Sequence, residues 1–267
     1  MTLYIEESGT KGAPTIVFLH GMGVSGWMWT TQVNALQDFH CLNIDLPGNG
    51  KSNQHEWVSL SDTANEIAEI IRTRATGQKA HVVGLSLGAY VTLTLLDRHA
   101  SLIESAMMSG VTTLPLPNRG MMSLQLGLMS IFLKTRLLMN MNIRMMQLPS
   151  EVIPAYKESF FALSRRSFKQ FVNEALDFTM PDGLKSVTVR TLSVAGDLEQ
   201  ATIKQSVGDV VATMPNAEGY FIPKVHHGWP GEAPELCTAI VLAWVQNQPL
   251  PDELVPVNPS PLSVATA

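Results

Sequence analysis

Ser86 lies at the centre of a short motif that is typical of catalytic serines. Residues 84–88 have the sequence Gly-Leu-Ser-Leu-Gly, which matches the pattern G-x-S-x-G. An apolar run at 81–83 predicts a strand before the motif, and Leu87–His99 predicts a helix after it. A sharp turn between them would expose the hydroxyl at the carboxyl edge of a sheet, beside a helix N-terminus that favours developing negative charge. We therefore predict that Ser86 is a nucleophile.

A serine hydroxyl is a poor nucleophile at neutral pH, so it needs a general base, and the base needs an acid to orient it. Among the seven histidines, His226 and His227 lie in the loop between the last predicted strand and the last predicted helix. Two carboxylates, Asp197 and Glu199, follow another predicted strand. The residues alone leave open which histidine and which carboxylate would act with the serine.

The elements that would position these side chains alternate between short apolar, β-rich runs and longer helical patterns. The predicted strands are residues 15–19, 41–44, 81–83 and 187–194, with weaker candidates at 103–109 and 219–222. The predicted helices are residues 63–74, 87–99, 202–213 and 234–246. Thr63 and Glu66 have the spacing of a capping box, which places a helix start near Thr63. The alternation predicts an α/β fold with a doubly wound, mostly parallel sheet.

One long stretch, residues 111–180, breaks this alternation because it contains no convincing strand. We interpret it as an all-helical insertion, with 1–110 and 181–247 forming the core. Within it, 121–148 is rich in Met and Leu with interspersed cations, which raises the hypothesis that it rests on a membrane surface. Residues 248–267 are rich in Pro and small residues and lack periodicity, so we predict a mobile C-terminal tail.

Five segments match, in order, the motifs of a known family. Across residues 1 to about 247 the sequence resembles the α/β-hydrolase family, and the matching segments are 20–23, 45–52, 84–88, 196–199 and 227–234. The resemblance implies the α/β-hydrolase fold. It also implies that the helical insertion is a cap above the nucleophile, with an apolar face towards the substrate.

The resemblance also favours one histidine and one carboxylate. The family's chain order is nucleophile, acid, base, and the spacing to Glu232 favours His227 over its neighbour His226. The family usually places its acid three residues after a loop glycine, which favours Glu199, with Asp197 as the alternative. Aspartate is the commoner acid in the family, so Glu199 departs from the usual pattern.

The tetrahedral intermediate of acyl transfer carries an oxyanion that needs N–H donors. The backbone N–H of Leu87, directly after the nucleophile, is one expected donor. The second is expected from the loop after the first strand, at Met22, and the resemblance implies that His20 shapes this loop. Glu232 is interpreted as a structural residue at a helix start.

Composition and charge exclude several classes of protein. The net charge is −5, which disfavours a nucleic-acid partner. No run of eighteen uncharged apolar residues is present, so we expect no transmembrane segment. The N-terminus lacks a signal-peptide pattern, and Cys41 and Cys237 stand in apolar surroundings, so we expect buried thiols and a cytoplasmic location. We expect no cofactor and no metal.

Together these features predict a serine hydrolase that cleaves a carboxylic ester of a small or medium apolar substrate through an acyl-Ser86 intermediate. One alternative is hydrolysis of a thioester, lactone, amide or carbon–carbon bond by the same residues. Another is a non-catalytic member of the fold that binds an apolar ligand. A dehalogenase or epoxide hydrolase is disfavoured, since a resemblance to those enzymes would require Asp at position 86, where this chain has Ser.

Overall fold

In the computed structural model, which describes residues 2–114, 119–131, 134–145 and 150–257, eight strands form one sheet. They are β1 Ile5–Gly9, β2 Thr15–Leu19, β3 His40–Ile44, β4 Ala80–Leu85, β5 Ile103–Ser109, β6 Arg190–Gly196, β7 Ala217–Ile222 and β8 Val255–Pro256. Their order is β1-β3-β2-β4-β5-β6-β7-β8. The six central strands are parallel, while β1 and β8 run antiparallel to their neighbours.

The described residues also form ten α-helices. They are α1 Thr30–Ala35, α2 Leu60–Arg74, α3 Leu87–His99, α4 Arg119–Ile131, α5 Arg136–Met145, α6 Ile153–Ala162, α7 Arg165–Leu176, α8 Ala201–Thr213, α9 Trp229–Glu232 and α10 Pro234–Val245. Helices cover both faces of the sheet, because Ile67 and Leu93 pack into one core while Val33 and Ile240 pack into the other. The predicted fold class, a doubly wound and mostly parallel sheet, is confirmed.

Burial on both faces explains why the central strands are apolar throughout. In β2, Ile16 and Phe18 belong to one core, and Val17 and Leu19 belong to the other. Edge strands lack this signal. The strand β1 has the sequence Ile-Glu-Glu-Ser-Gly and is only partly buried, and it was absent from the predicted strands.

The predicted start of α2 is wrong by one helical turn. The helix begins at Leu60, and the Ser59 side chain caps it by accepting a hydrogen bond from the Asp62 N–H at 3.0 Å. Thr63 lies inside the helix, where its N–H donates to the Ser59 carbonyl and its side chain is buried. A Ser and an Asp three residues apart make an equally good start signal, and the apolar face of the helix already begins at Leu60.

Between β5 and β6 the described residues form four helices, α4 to α7, and no strand, as the sequence of 111–180 predicts. The last of these helices packs into the main core. Phe171 of α7 makes edge-to-face contacts with Trp57 and Tyr90, with ring centroids 5.3 and 5.7 Å apart. Aromatic pairs of this geometry fix α7 against the core.

The prediction of a mobile tail from residue 248 is wrong for the part that the structure describes. Leu254 is buried, Val255 pairs with Phe221 of β7, and the Val257 N–H donates to the Gly219 carbonyl. A proline-rich segment can add to a sheet edge when its apolar side chains become buried against the core, as that of Leu254 does. Residues 258–267 of the predicted tail lie outside the described residues.

Two further predictions concern the cysteines and membrane-spanning segments. Cys41 and Cys237 are buried free thiols, as predicted, and burial raises the pKa of Cys41 to about 11. No helix in the described part of the chain combines the length and the apolar character needed to cross a membrane.

Candidate active site

Ser86 occupies a strained turn between β4 and α3. Its backbone angles are φ 53° and ψ −113°, outside the regions that L-residues favour. The Ser86 carbonyl accepts hydrogen bonds from Ala89 and Tyr90, so the serine begins the helix. Glycines are required on both sides, because a Cβ at Gly84 or Gly88 would overlap backbone oxygen or carbon atoms. This is the local geometry that the motif predicts, and it leaves the serine only partly buried.

His227 contacts one of the two candidate carboxylates. Its Nδ1 lies 2.9 Å from Oε2 of Glu199. The Glu199 side chain is 1% exposed, whereas that of His227 is 44% exposed. A carboxylate accepts the Nδ1 proton, so the neutral imidazole keeps its lone pair on Nε2. The pair thus has the orientation that a general base requires.

The rival residues have other partners. Asp197 accepts a hydrogen bond from the backbone N–H of Lys224 at 2.7 Å, where the chain turns with a φ of 61°. His226 is held by Glu232, whose carboxylate lies 3.1 Å from the His226 ring and accepts its backbone N–H. Glu232 therefore fixes the loop. Of the two candidate pairs of residues, the structure brings together His227 and Glu199.

Residues at the end of strand β5 hold both Ser86 and His227. The Ser86 N–H donates to the Ser109 carbonyl at 2.8 Å. The His227 ring lies against the next residue, Gly110, so that a Cβ there would be 2.5 Å from the ring carbon Cε1. The buried Trp229 donates from Nε1 to the Ser109 hydroxyl at 3.0 Å. One strand end thus positions both the serine and the imidazole.

No motif in the sequence marks Ser109, Gly110 or Trp229 as residues that position the site. A glycine directly after a predicted strand was the available signal for Gly110. Its φ of +78° and its close approach to the imidazole both require glycine. Trp229 and Ser109 are 120 residues apart in the chain, and nothing in the spacing of the sequence indicates their contact.

The loop after β2 lies against Ser86 on another side. A Cβ at Gly21 would be 3.5 Å from the Cβ of Ser86. The His20 carbonyl accepts the N–H of Gly88 at 3.1 Å, which ties the loop to α3. Among the described residues, neither the Met22 N–H nor the Leu87 N–H has a hydrogen-bond acceptor. Two backbone donors are therefore available on the residues that the sequence indicates.

His20 holds this loop in place. Its Nε2 accepts the Leu46 N–H at 2.9 Å, so the proton must be on Nδ1, which donates to the Gly21 carbonyl at 2.7 Å. Complete burial lowers the pKa of His20, which keeps the ring neutral. The expected role of His20 in shaping the loop fits these contacts.

The inserted helices contact the same loop further along. The Ser159 hydroxyl of α6 lies 3.1 Å from that of Ser25 and accepts the indole N–H of Trp27 at 2.9 Å. Val24 packs in a small apolar cluster with Phe160 of α6. The loop that carries Met22 is thus held between the core and the insertion.

No group of three or more His, Cys, Asp or Glu side chains in the described ranges is arranged to hold a metal ion.

The site has the arrangement of an α/β hydrolase. It combines a strained serine at a strand-to-helix turn, a histidine hydrogen-bonded to a buried carboxylate, and free N–H groups nearby. Residues 16–240 match the model of the family described as the alpha/beta hydrolase family. The chain therefore belongs to this family.

Two curated relatives show what the chain is similar to. A pimeloyl-(acyl-carrier protein) methyl ester esterase of Methylococcus capsulatus is 42% identical over 94 residues, which are 35% of this chain and 34% of that protein. The 3-oxoadipate enol-lactonase 1 of Acinetobacter baylyi is 32% identical over 95 residues, which are 35% of each. The chain thus matches about a third of the length of these curated relatives.

Solved structures match over nearly the whole chain. An esterase from Exiguobacterium antarcticum superposes with a TM-score of 0.79 at 19% identity, covering 91% of this chain and 95% of that chain. At 19% sequence identity, this structural similarity shows a shared fold.

Proposed function

We propose that this protein is a serine hydrolase that cleaves carboxylic esters of small or medium apolar substrates. The observation that carries the proposal is the contact between His227 and the buried Glu199, beside the same strand end that binds the Ser86 backbone. The esterase among the relatives supports ester chemistry, and the esterase among the solved structures supports the fold.

In the proposed reaction, the Ser86 Oγ attacks the ester carbonyl carbon while Nε2 of His227 takes the hydroxyl proton. Glu199 stabilises the imidazolium that forms. The negative charge on the former carbonyl oxygen is stabilised by the N–H groups of Met22 and Leu87, each worth about 3 kcal/mol in such sites. The bond between the acyl carbon and the alkoxy oxygen then breaks, and His227 protonates the departing oxygen. The alcohol leaves and the acyl group remains on Ser86.

Water completes the cycle. His227 removes a proton from a water molecule that attacks the acyl carbon, and Ser86 leaves with that proton as the acid is released. The helical insertion would act as the cap. Val24, Tyr156 and Phe160 form a buried apolar cluster where α6 meets the loop of Met22, which would hold the cap against that loop.

A lactone is the second candidate substrate, because one relative is named an enol-lactonase. A lactone is an ester closed into a ring, so the same attack and proton transfers apply. The two candidates differ in how the acyl and alcohol parts are connected. An open-chain ester gives two separate products, whereas the two parts of a lactone remain joined after the ring opens.

The test is hydrolysis of nitrophenyl esters, from acetate to decanoate, and of aliphatic lactones by the purified protein. We expect Ser86→Ala to lower kcat by at least about 10³-fold, and Glu199→Gln by about 10²- to 10⁴-fold. Asp197→Asn is the matched carboxylate control, and it should keep the wild-type kcat. Equal turnover by the Ser86→Ala protein would refute a serine mechanism.

Covalent labelling separates an enzyme from a ligand-binding member of the fold. A fluorophosphonate probe should label Ser86 in the wild-type protein and fail to label the Ser86→Ala protein, because only an activated hydroxyl attacks phosphorus at neutral pH. Absence of labelling in a folded wild-type protein would favour the non-catalytic alternative.

A further inference from the structure

Two helices of the insertion present large apolar side chains to solvent. Met121 and Leu124 of α4 are 58% and 66% exposed, and Leu137 and Met141 of α5 are 73% and 57% exposed. Spacings of three and four residues place each pair on one side of its helix. We call these four exposed side chains, two on each of two consecutive helices, the outer apolar face.

Packing among the residues that the structure describes does not account for this face. In α5, Met139 is buried against Val24 and Phe160, and it points about 200° around the helix from Leu137. The helix is therefore apolar on both its inner and its outer side. A helix that faces water on its outer side ordinarily carries polar residues there.

The same region is positively charged in a protein that is otherwise negative. Between Glu104 and Glu151 the sequence has four basic residues and no acidic one. The rest of the chain has 14 basic and 23 acidic residues. Arg136 directly precedes Leu137 of this face in the sequence, Lys134 lies within three residues of it, and both cations are exposed. Charge and exposed apolar surface thus coincide in one part of the molecule.

We propose that the outer apolar face docks on an anionic lipid surface. Its Leu and Met side chains would enter the boundary between headgroups and acyl chains, and the cations would lie among the lipid phosphates. Screening makes the local charge decisive, because the Debye length is about 10 Å at 0.1 M salt. The net negative charge of the remaining protein therefore opposes docking only weakly.

The chemistry of the face favours lipid over an acidic protein. Protein interfaces draw most of their binding energy from Trp, Tyr and Arg anchors in packed pockets. The outer apolar face consists of Leu and Met alone, so it lacks the aromatic anchors of a tight protein interface, whereas insertion at a lipid boundary requires apolar area without a shaped pocket.

The experiment is co-sedimentation of the full chain with vesicles. One set is pure phosphatidylcholine, and the other contains about one third phosphatidylglycerol. We expect binding to the anionic vesicles at low salt, weak binding to the neutral ones, and loss of binding at about 0.5 M NaCl. Binding that is equal on both vesicle types, or absent from both, would overturn the proposal.

Matched variants assign the binding to this face. Lys134→Glu with Arg136→Glu should lower the partition coefficient on anionic vesicles by about tenfold or more. The control with the same charge change is Lys11→Glu with Lys185→Glu, two exposed lysines elsewhere, and it should bind as the wild type does.

A second pair of variants tests the apolar contribution. Leu137→Ser with Met141→Ser should weaken binding about tenfold without lowering Tm, since both side chains are exposed. Val255→Ser, at a 52% exposed position on the sheet edge, is the control. Unchanged vesicle binding in both the charge and the apolar variants would overturn the proposal. So would retention on an immobilised acidic protein without any vesicle binding, which would indicate a protein partner.

Discussion

Gly110→Ala should impair catalysis without removing any functional group. An alanine Cβ at this position would lie 2.5 Å from Cε1 and 3.1 Å from Nδ1 of His227. Carbon atoms pack at about 3.5 Å or more, so the ring must withdraw by about 1 Å. The hydrogen bond from Nδ1 to Glu199, 2.9 Å in the wild type, would then be stretched or broken. A misplacement of this size costs about 10²-fold in rate.

The assay is steady-state hydrolysis of the best nitrophenyl ester, together with thermal unfolding. Misplacement of the base should lower kcat with little effect on KM, because the ring acts in the transition state. The φ of +78° adds a backbone cost of about 1–2 kcal/mol, which lowers Tm.

Gly12→Ala is the matched control. Gly12 has a φ of +90°, and a Cβ there meets nothing within 4 Å. This variant should show a similar loss of stability while keeping the wild-type kcat. Full activity in the Gly110→Ala protein, or an equal loss of kcat in the Gly12→Ala protein, would refute the argument that Gly110 positions the imidazole.

Two further predictions concern stability. Burial raises the pKa of Glu174 above its ordinary value of 4.5, although its carboxylate accepts hydrogen bonds from the Leu60 N–H and the Trp57 indole. The folded state then holds the proton more tightly than the unfolded state, so this contribution to stability is complete below pH 4.5 and is lost as the pH rises through the raised pKa. Urea unfolding from pH 4 upwards should show this loss in the wild type and not in Glu174→Gln, and identical pH profiles would contradict it. Ser59→Ala removes the cap on the Asp62 N–H and should lower the free energy of unfolding by about 1 kcal/mol, which urea titration at neutral pH measures; an unchanged midpoint would show that the cap is dispensable.

The sequence predicted the central elements well because their signals are local. The bounds of Leu87–His99 and Ile103–Ser109 agree with the structure, since an apolar run or a motif defines each. Glu199 was favoured over Asp197 by a spacing of three residues from a loop glycine. In the structure that spacing turns the Glu199 side chain towards His227.

Contacts between distant parts of the chain were beyond prediction. Gly110 meets His227 only because β5 and the loop after β7 end at the same edge of the sheet. The β8 strand was missed since its pairing with β7 depends on a neighbouring strand rather than on its own propensity. For the same reason the polar strand β1 gave no signal.

The two outermost strands also bear on how this protein behaves when concentrated. A bare sheet edge offers unpaired N–H and carbonyl groups to another chain, which is a common route to aggregation. One edge here is β1, with charged Glu6 and Glu7, and the other is β8, where Pro256 has no N–H to donate. Both borders of the sheet are thus poor templates for further strands, which protects a molecule with such apolar central strands from self-association at high concentration.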